Sequence, residues 1–156
     1  RKRKLAQELE TLTASKRLEE ARTDYYSVKQ ECSRLIDESG NDRERRAFNE
    51  VQSQEQAFMT SPNPGKIREK IQALEAIQYE IWFRTPAFLV GWFNSMKERR
   101  ERFNDQDQAK TLIEAGGAAI ADENYDRLRK IDFDLSALLP EGDQDEVRKQ
   151  TLTGIS

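Results

Sequence analysis

Residues 2 to 38 contain neither proline nor glycine. A run of that kind forms one long helix if its apolar residues repeat with helical spacing. Leu18, Ala21, Tyr25, Val28, Cys32 and Leu35 recur at spacings of 3, 4, 3, 4 and 3, the rhythm that keeps one face of a helix turned toward a partner. Leu5, Leu9 and Leu12 follow the same rhythm but out of phase. The stripe therefore drifts around the helix near Ser15 to Arg17, as a stutter makes it do. About 36 residues at 1.5 Å rise span roughly 54 Å, more than the width of a small domain. Part of this helix is expected to project or to lie across a neighbour. The cations of Arg1 to Lys4 oppose the macrodipole at its start, which is simplest if the native chain continues upstream.

Breakers and caps divide the rest. Ser39-Gly40 ends the first helix, with Gly40 expected as a left-handed cap. Asn41 and Glu44 form a capping-box pair for a second helix running to about Met59. Thr60 to Gly65 is the clearest break, and Asn63-Pro64 is a cap and first-turn pair. A third helix follows, with Ile67, Ile71, Leu74, Ile77 and Ile81 on one face. Thr85-Pro86 opens a fourth, with Leu89, Trp92, Phe93 and Met96. Asn104-Asp105 starts a fifth, containing Gly116-Gly117, where a neighbouring backbone is expected to approach closely. A sixth carries Tyr125, Leu128, Ile131, Leu135 and Leu138 up to Pro140. The short link at Asp122 to Asn124 makes the last two an antiparallel αα-hairpin. No segment alternates long enough to be a strand.

The reading is an all-α helical bundle of five or six helices, with a long N-terminal helix and a C-terminal αα-hairpin. Residues 1–60 form an arm, residues 61–142 a bundle and residues 143–156 a frayed, flexible tail. Charged residues make up 35 % and hydrophobic residues 36 %, but 26 cations nearly balance 29 anions. That balance suits a charged helical surface and a mean hydropathy of −0.92.

Composition removes several chemistries. With no histidine, the chain has no Ser-His-Asp triad and no imidazole metal site. One cysteine makes neither an internal disulfide nor a Cys-rich zinc site, and Cys32 reads as a small buried hydrophobe. The longest uncharged run, Thr85 to Met96, has twelve residues, against about 20 for a membrane span. No signal-peptide core follows the basic start, and a cytoplasmic location is expected.

Four features invite a functional reading. Tyr79, Trp82, Phe83, Phe88, Trp92 and Phe93 hold six of the thirteen aromatics. They suit a docking surface, but a chain this poor in apolar residues needs its aromatics inside, so core is preferred. Arg99, Arg100 and Arg102 could meet phosphates. Interleaved with Glu98 and Glu101, they read better as a solvated helix end, so no nucleic-acid partner is expected. Asp132 and Asp134 point about 200° apart on a helix and cannot share a hydrolytic site. The acidic stretch Glu141 to Glu146 lacks the EF-hand pattern, and Gly116-Gly117 lacks the lysine and strand of a phosphate loop. No catalytic, cofactor-binding or metal residue is assigned.

From Ile67 to Pro140 the chain resembles the helical C-terminal region of bacterial DnaK-type heat-shock chaperones and their larger relatives. The residues that carry this are Thr85-Pro86-Ala87-Phe88, Trp92-Phe93, Arg99-Arg100 and Phe103. They continue with Ala109 to Gly116, Ala119-Ile120, Tyr125, Leu128-Arg129, Leu135 and Leu138-Leu139-Pro140. The resemblance implies a non-catalytic, lid-like, client-modulating region of an ATP-dependent folding chaperone. ATP, Mg²⁺ and client binding would then belong to other parts of the parent protein. Neighbouring domains, unfolded clients and co-chaperones become the expected partners. The alternative is an adaptor bundle that self-associates through the heptad-bearing first helix. That stripe holds fewer than three heptads in phase, so a monomer or weak self-association is expected. Without a phosphate-cradling loop, the chain alone should neither bind nor hydrolyse ATP; calorimetry that detects a micromolar ATP site would overturn this.

Overall fold

The helix starts follow the caps. A computed structural model describes residues 2–155, and among them the regular structure is all helical, with no strand. Helix takes up 87 % of the described residues, far above the roughly 30–35 % of an average globular domain. In chain order the helices are α1 Lys2–Ser39, α2 Asp42–Ser53, α3 Glu55–Met59, α4 Pro64–Trp82, α5 Pro86–Glu98, α6 Gln106–Ala121, α7 Tyr125–Ala137 and α8 Glu141–Ile155, with a 3-10 turn at Arg100–Arg102 between α5 and α6.

The capping box forms as expected: Glu44 N–H donates to Asn41 Oδ1 at 2.9 Å, and Asn41 N–H donates to Glu44 Oε1 at 3.0 Å. Asn63 Oδ1 accepts from Gly65 N–H at 2.9 Å, one residue after Pro64 begins α4. Asp105 and Asn124 cap α6 and α7 by accepting from Gln108 and Arg127. Gly40 departs from expectation, because no glycine among the described residues has a positive φ. Its N–H still bonds Ile36 O at 2.8 Å, so the chain leaves α1 without a left-handed residue. Glycine is needed there for room instead: a Cβ would sit 2.7 Å from Ile36 O. The left-handed cap is at Glu123, φ 54°. Asn124 N–H reaches back to Ala119 O at 2.9 Å and Glu123 N–H to Ile120 O at 3.1 Å, a complete Schellman turn.

Contacts divide the chain into two units, one up to Ile81 and one from Trp82 onward. In the first unit the Ala21–Leu35 stripe is buried among α2, α3 and α4, with Phe48, Val51, Phe58, Ile67, Ile71 and Leu74. Tyr25 packs edge-on against Phe58, with ring centroids 5.0 Å apart. Its hydroxyl donates to Glu55 Oε1 at 2.8 Å, where Lys29 Nζ also donates at 2.7 Å. The expected second helix is broken at Gln54, which takes an i→i−3 bond to Val51 O and re-aims the following turn. Residues 2–17 of α1 are exposed throughout; Leu5, Leu9 and Leu12 are 60–67 % exposed.

The expected division at residue 60 is corrected, because α4 belongs to the first unit. Its isoleucine face needs a partner stripe, and α1 supplies one: Cys32 Sγ lies 3.7 Å from Leu74 O, and Arg68 pairs with Asp24. The expected frayed tail is corrected as well. Residues 141–155 form α8, which packs on α5 and buries Val147 and Thr151; Ser156 lies outside the described residues. In the second unit α6 and α7 form the expected hairpin, and α5 packs against α6, α7 and α8.

The two adjacent glycines of α6 differ. A Cβ on Gly116 would lie 2.1 Å from Phe93 Cε2, so it is a side chain, not a backbone, that approaches there. Gly117 faces open space. Gly117→Ala should therefore stabilise the protein by about 1 kcal/mol, while Gly116→Ala should destabilise it by about 1–3 kcal/mol. Urea midpoints of the two variants check this; equal effects would refute it.

Candidate functional site

The aromatic segment is divided by the fold. Phe88, Trp92 and Phe93 are buried in the second unit, as the core reading expects, while Tyr79, Trp82 and Phe83 are only half-buried. Phe88 anchors the group, with Trp82 stacked at 6.1 Å and Trp92 at 5.8 Å. Phe133, from α7, completes the face: its ring lies 4.9 Å from Phe83 and 5.2 Å from Trp92, both edge-on, yet it is 44 % exposed. Arg129 Nε donates to Phe83 O at 2.7 Å and holds this edge against α7. The sequence reading did not place Phe133 here. The outer edge of a packed core thus forms a small, half-exposed aromatic face.

The arginine run is a tie within the fold. Arg99 Nη1 bonds Asp143 Oδ1 at 3.0 Å and Glu146 Oε2 at 2.8 Å, while Arg102 Nη2 bonds Asp143 Oδ2 at 3.1 Å. Hydrogen bonding from Arg102, then from Arg99, holds the Asp143 carboxyl below the usual range. Asp143 lies in the first turn of α8, where an acid also complements the dipole. The acidic stretch that might have been a cation site is therefore occupied by arginines. Among the described residues no three Asp, Glu or Cys side chains converge as metal ligands, and no helix is long and apolar enough to cross a membrane. Arg1 of the basic start lies outside the described residues; Lys2 to Lys4 are exposed.

Asp132 and Asp134 are not brought together, in line with their helical separation. Asp134 is exposed, whereas Asp132 is 0 % exposed beside Leu128, Ile131 and Leu135. Neither carboxyl oxygen of Asp132 has a hydrogen-bond partner. Burial alone pushes this carboxyl up to about 8, so it is largely protonated in the folded chain at neutral pH. Cys32 is similarly inert, its thiol pushed up to about 12 by burial and, to a lesser degree, by Glu44 and Glu31. Burial keeps the proton on both groups at neutral pH.

Compared with known proteins, the chain matches no family model, no curated protein and no solved structure. Its function has to be argued from its own residues.

Asp132 makes stability depend on pH. An unfolded aspartate titrates near 3.9. Between about 4 and about 8 the folded chain holds a proton that the unfolded chain has released, so stability falls as pH rises through that window. Asp143 acts in the opposite sense, but only as pH falls below the usual carboxylate range. Asp132→Asn should flatten the profile and raise stability at pH 8 by roughly 1–3 kcal/mol. Urea unfolding at pH 5 and pH 8 tests this; a wild-type midpoint that does not change between them would refute it.

Proposed function

We propose that the chain is a non-catalytic, lid-like and client-modulating helical region of a DnaK-type, ATP-dependent folding chaperone that acts in the cytoplasm. One observation carries the reading. The apolar residues of the resemblance include much of the core of the second unit, with Phe88, Trp92, Phe93, Phe103, Leu135 and Leu139 all buried. The likeness therefore lies in a packing pattern and needs no reactive group, which suits a mechanical part of a larger machine. The long α1, locked into the first unit along residues 18–36 and exposed along residues 2–17, supplies an arm that can meet a neighbouring domain. ATP and Mg²⁺ would act elsewhere in the parent chain.

The adaptor alternative has less support. Its interface would be the Leu18–Leu35 stripe, and most of that stripe is buried within the same unit. Removing this region from the longer chaperone chain that the resemblance implies should speed release of a bound fluorescent peptide several-fold and lower the yield of refolded client. Unchanged peptide release and refolding would overturn the proposal.

A further inference from the structure

The arm of α1 carries an apolar stripe that its own unit does not use. At about 100° per residue, the Leu5, Leu9 and Leu12 stripe is centred roughly 160° around the helix from the buried stripe that begins at Leu18. A helix docked on the leucines would therefore lie on nearly the opposite side from α2, α3 and α4. Isolated helices of this length are marginal in water, and these leucines are 60–67 % exposed, so a partner helix would stabilise the arm.

The charges on the stripe select the partner. The same rhythm places Lys2 before the leucines and Lys16 and Glu19 after them, all exposed. In a parallel, in-register pair of arms, Lys2 would meet Lys2 and Lys16 would meet Lys16. In an antiparallel pair that sets Leu9 against Leu12 of the second copy, facing positions sum to 21. Lys2 then meets Glu19, and Leu5 packs on the aliphatic stem of Lys16. Like charges are removed from the seam and opposite charges close both of its ends.

We propose that the Leu5–Leu9–Leu12 face of α1 binds a second copy of this chain, arm to arm and antiparallel, with Lys2 of each copy against Glu19 of the other. The seam has two leucine–leucine layers and two leucine–lysine layers. With so few layers it covers less than the about 1,200 Å² at which stable complexes begin, so association is weak. The inference is independent of the chaperone reading: it is tested without nucleotide or client, and its failure leaves the peptide-release experiment untouched.

Sedimentation equilibrium of the full 156-residue chain from 20 to 500 µM tests it. The wild type should show a reversible monomer–dimer equilibrium, and Leu9→Glu, at an exposed position, should abolish it without changing the helical signal. Lys2→Glu and Glu19→Lys should each weaken association at least threefold, since each puts like charges at both ends of the seam. An equimolar mixture of these two variants should regain wild-type association, because both end pairs are again opposite in sign. A parallel seam would leave the single variants unweakened, which would overturn the proposal. A wild type that stays monomeric at 500 µM would do the same and assign the stripe to a different partner. So would a dimer that survives Leu9→Glu.

Discussion

A chain with as many charged as hydrophobic residues can give each helix only one narrow apolar face, and every packing choice in this protein follows from that limit. In the first unit the limit is met by length. Along residues 18–36 of α1 one stripe serves three shorter helices in turn. Polar side chains at its edges fix the fit. Tyr25 and Lys29 share the Glu55 carboxylate, and Arg22 Nε donates to Met59 O at 3.1 Å, which holds the chain after the break at Gln54. More exposed pairs, such as Arg34 with Glu31 and Glu38, decorate the outside and contribute little.

The second unit meets the same limit by close approach. Phe93 fills the space over Gly116 where a side chain would otherwise stand. That single absence of a Cβ lets α5 and α6 meet over a large aromatic ring. The α6–α7 hairpin is then closed by a Schellman turn with a non-glycine residue in the left-handed position. Among its described residues the last helix adds Val147 and Thr151 and partly buries Leu152. Its docking leans on the arginines that leave the end of α5, and Asp143, which both of them meet, doubles as a favourable charge in the first turn of α8.

The titratable groups that burial perturbs most lie inside the fold, and the largest exposed apolar side chains lie on its helices. The buried carboxyl of Asp132 and the buried thiol of Cys32 are chemically silent, one because burial protonates it and the other because burial keeps its proton in place. What is left outward is an arm with three leucines and a half-exposed aromatic face built on Phe133. Both are apolar surface that the described core does not cover.

The sequence by itself determined where α2, α4, α5, α6 and α7 begin and which of their faces turn inward. Asn41 with Glu44, Asn63 with Pro64, Thr85 with Pro86, and Asp105 all act within four residues of themselves, so their meaning is local and can be read from spacing. The stripes of α1, α4 and α7 were legible for the same reason. The candidate site was legible only in part. The Phe88–Phe93 core and the separation of Asp132 from Asp134 follow from helical periodicity, but the role of Phe133 does not, since its partners lie about 40 and 50 residues away. Asp132 sits one turn from Leu128, on the inward face, yet an acid there argues against the burial that packing imposes. Only the tertiary structure gave α4 to the first unit, turned the expected tail into α8, and made Gly116 a seat for Phe93. Each of those outcomes depends on which distant face is available to cover a short apolar patch or to neutralise a charge, and no local pattern records that.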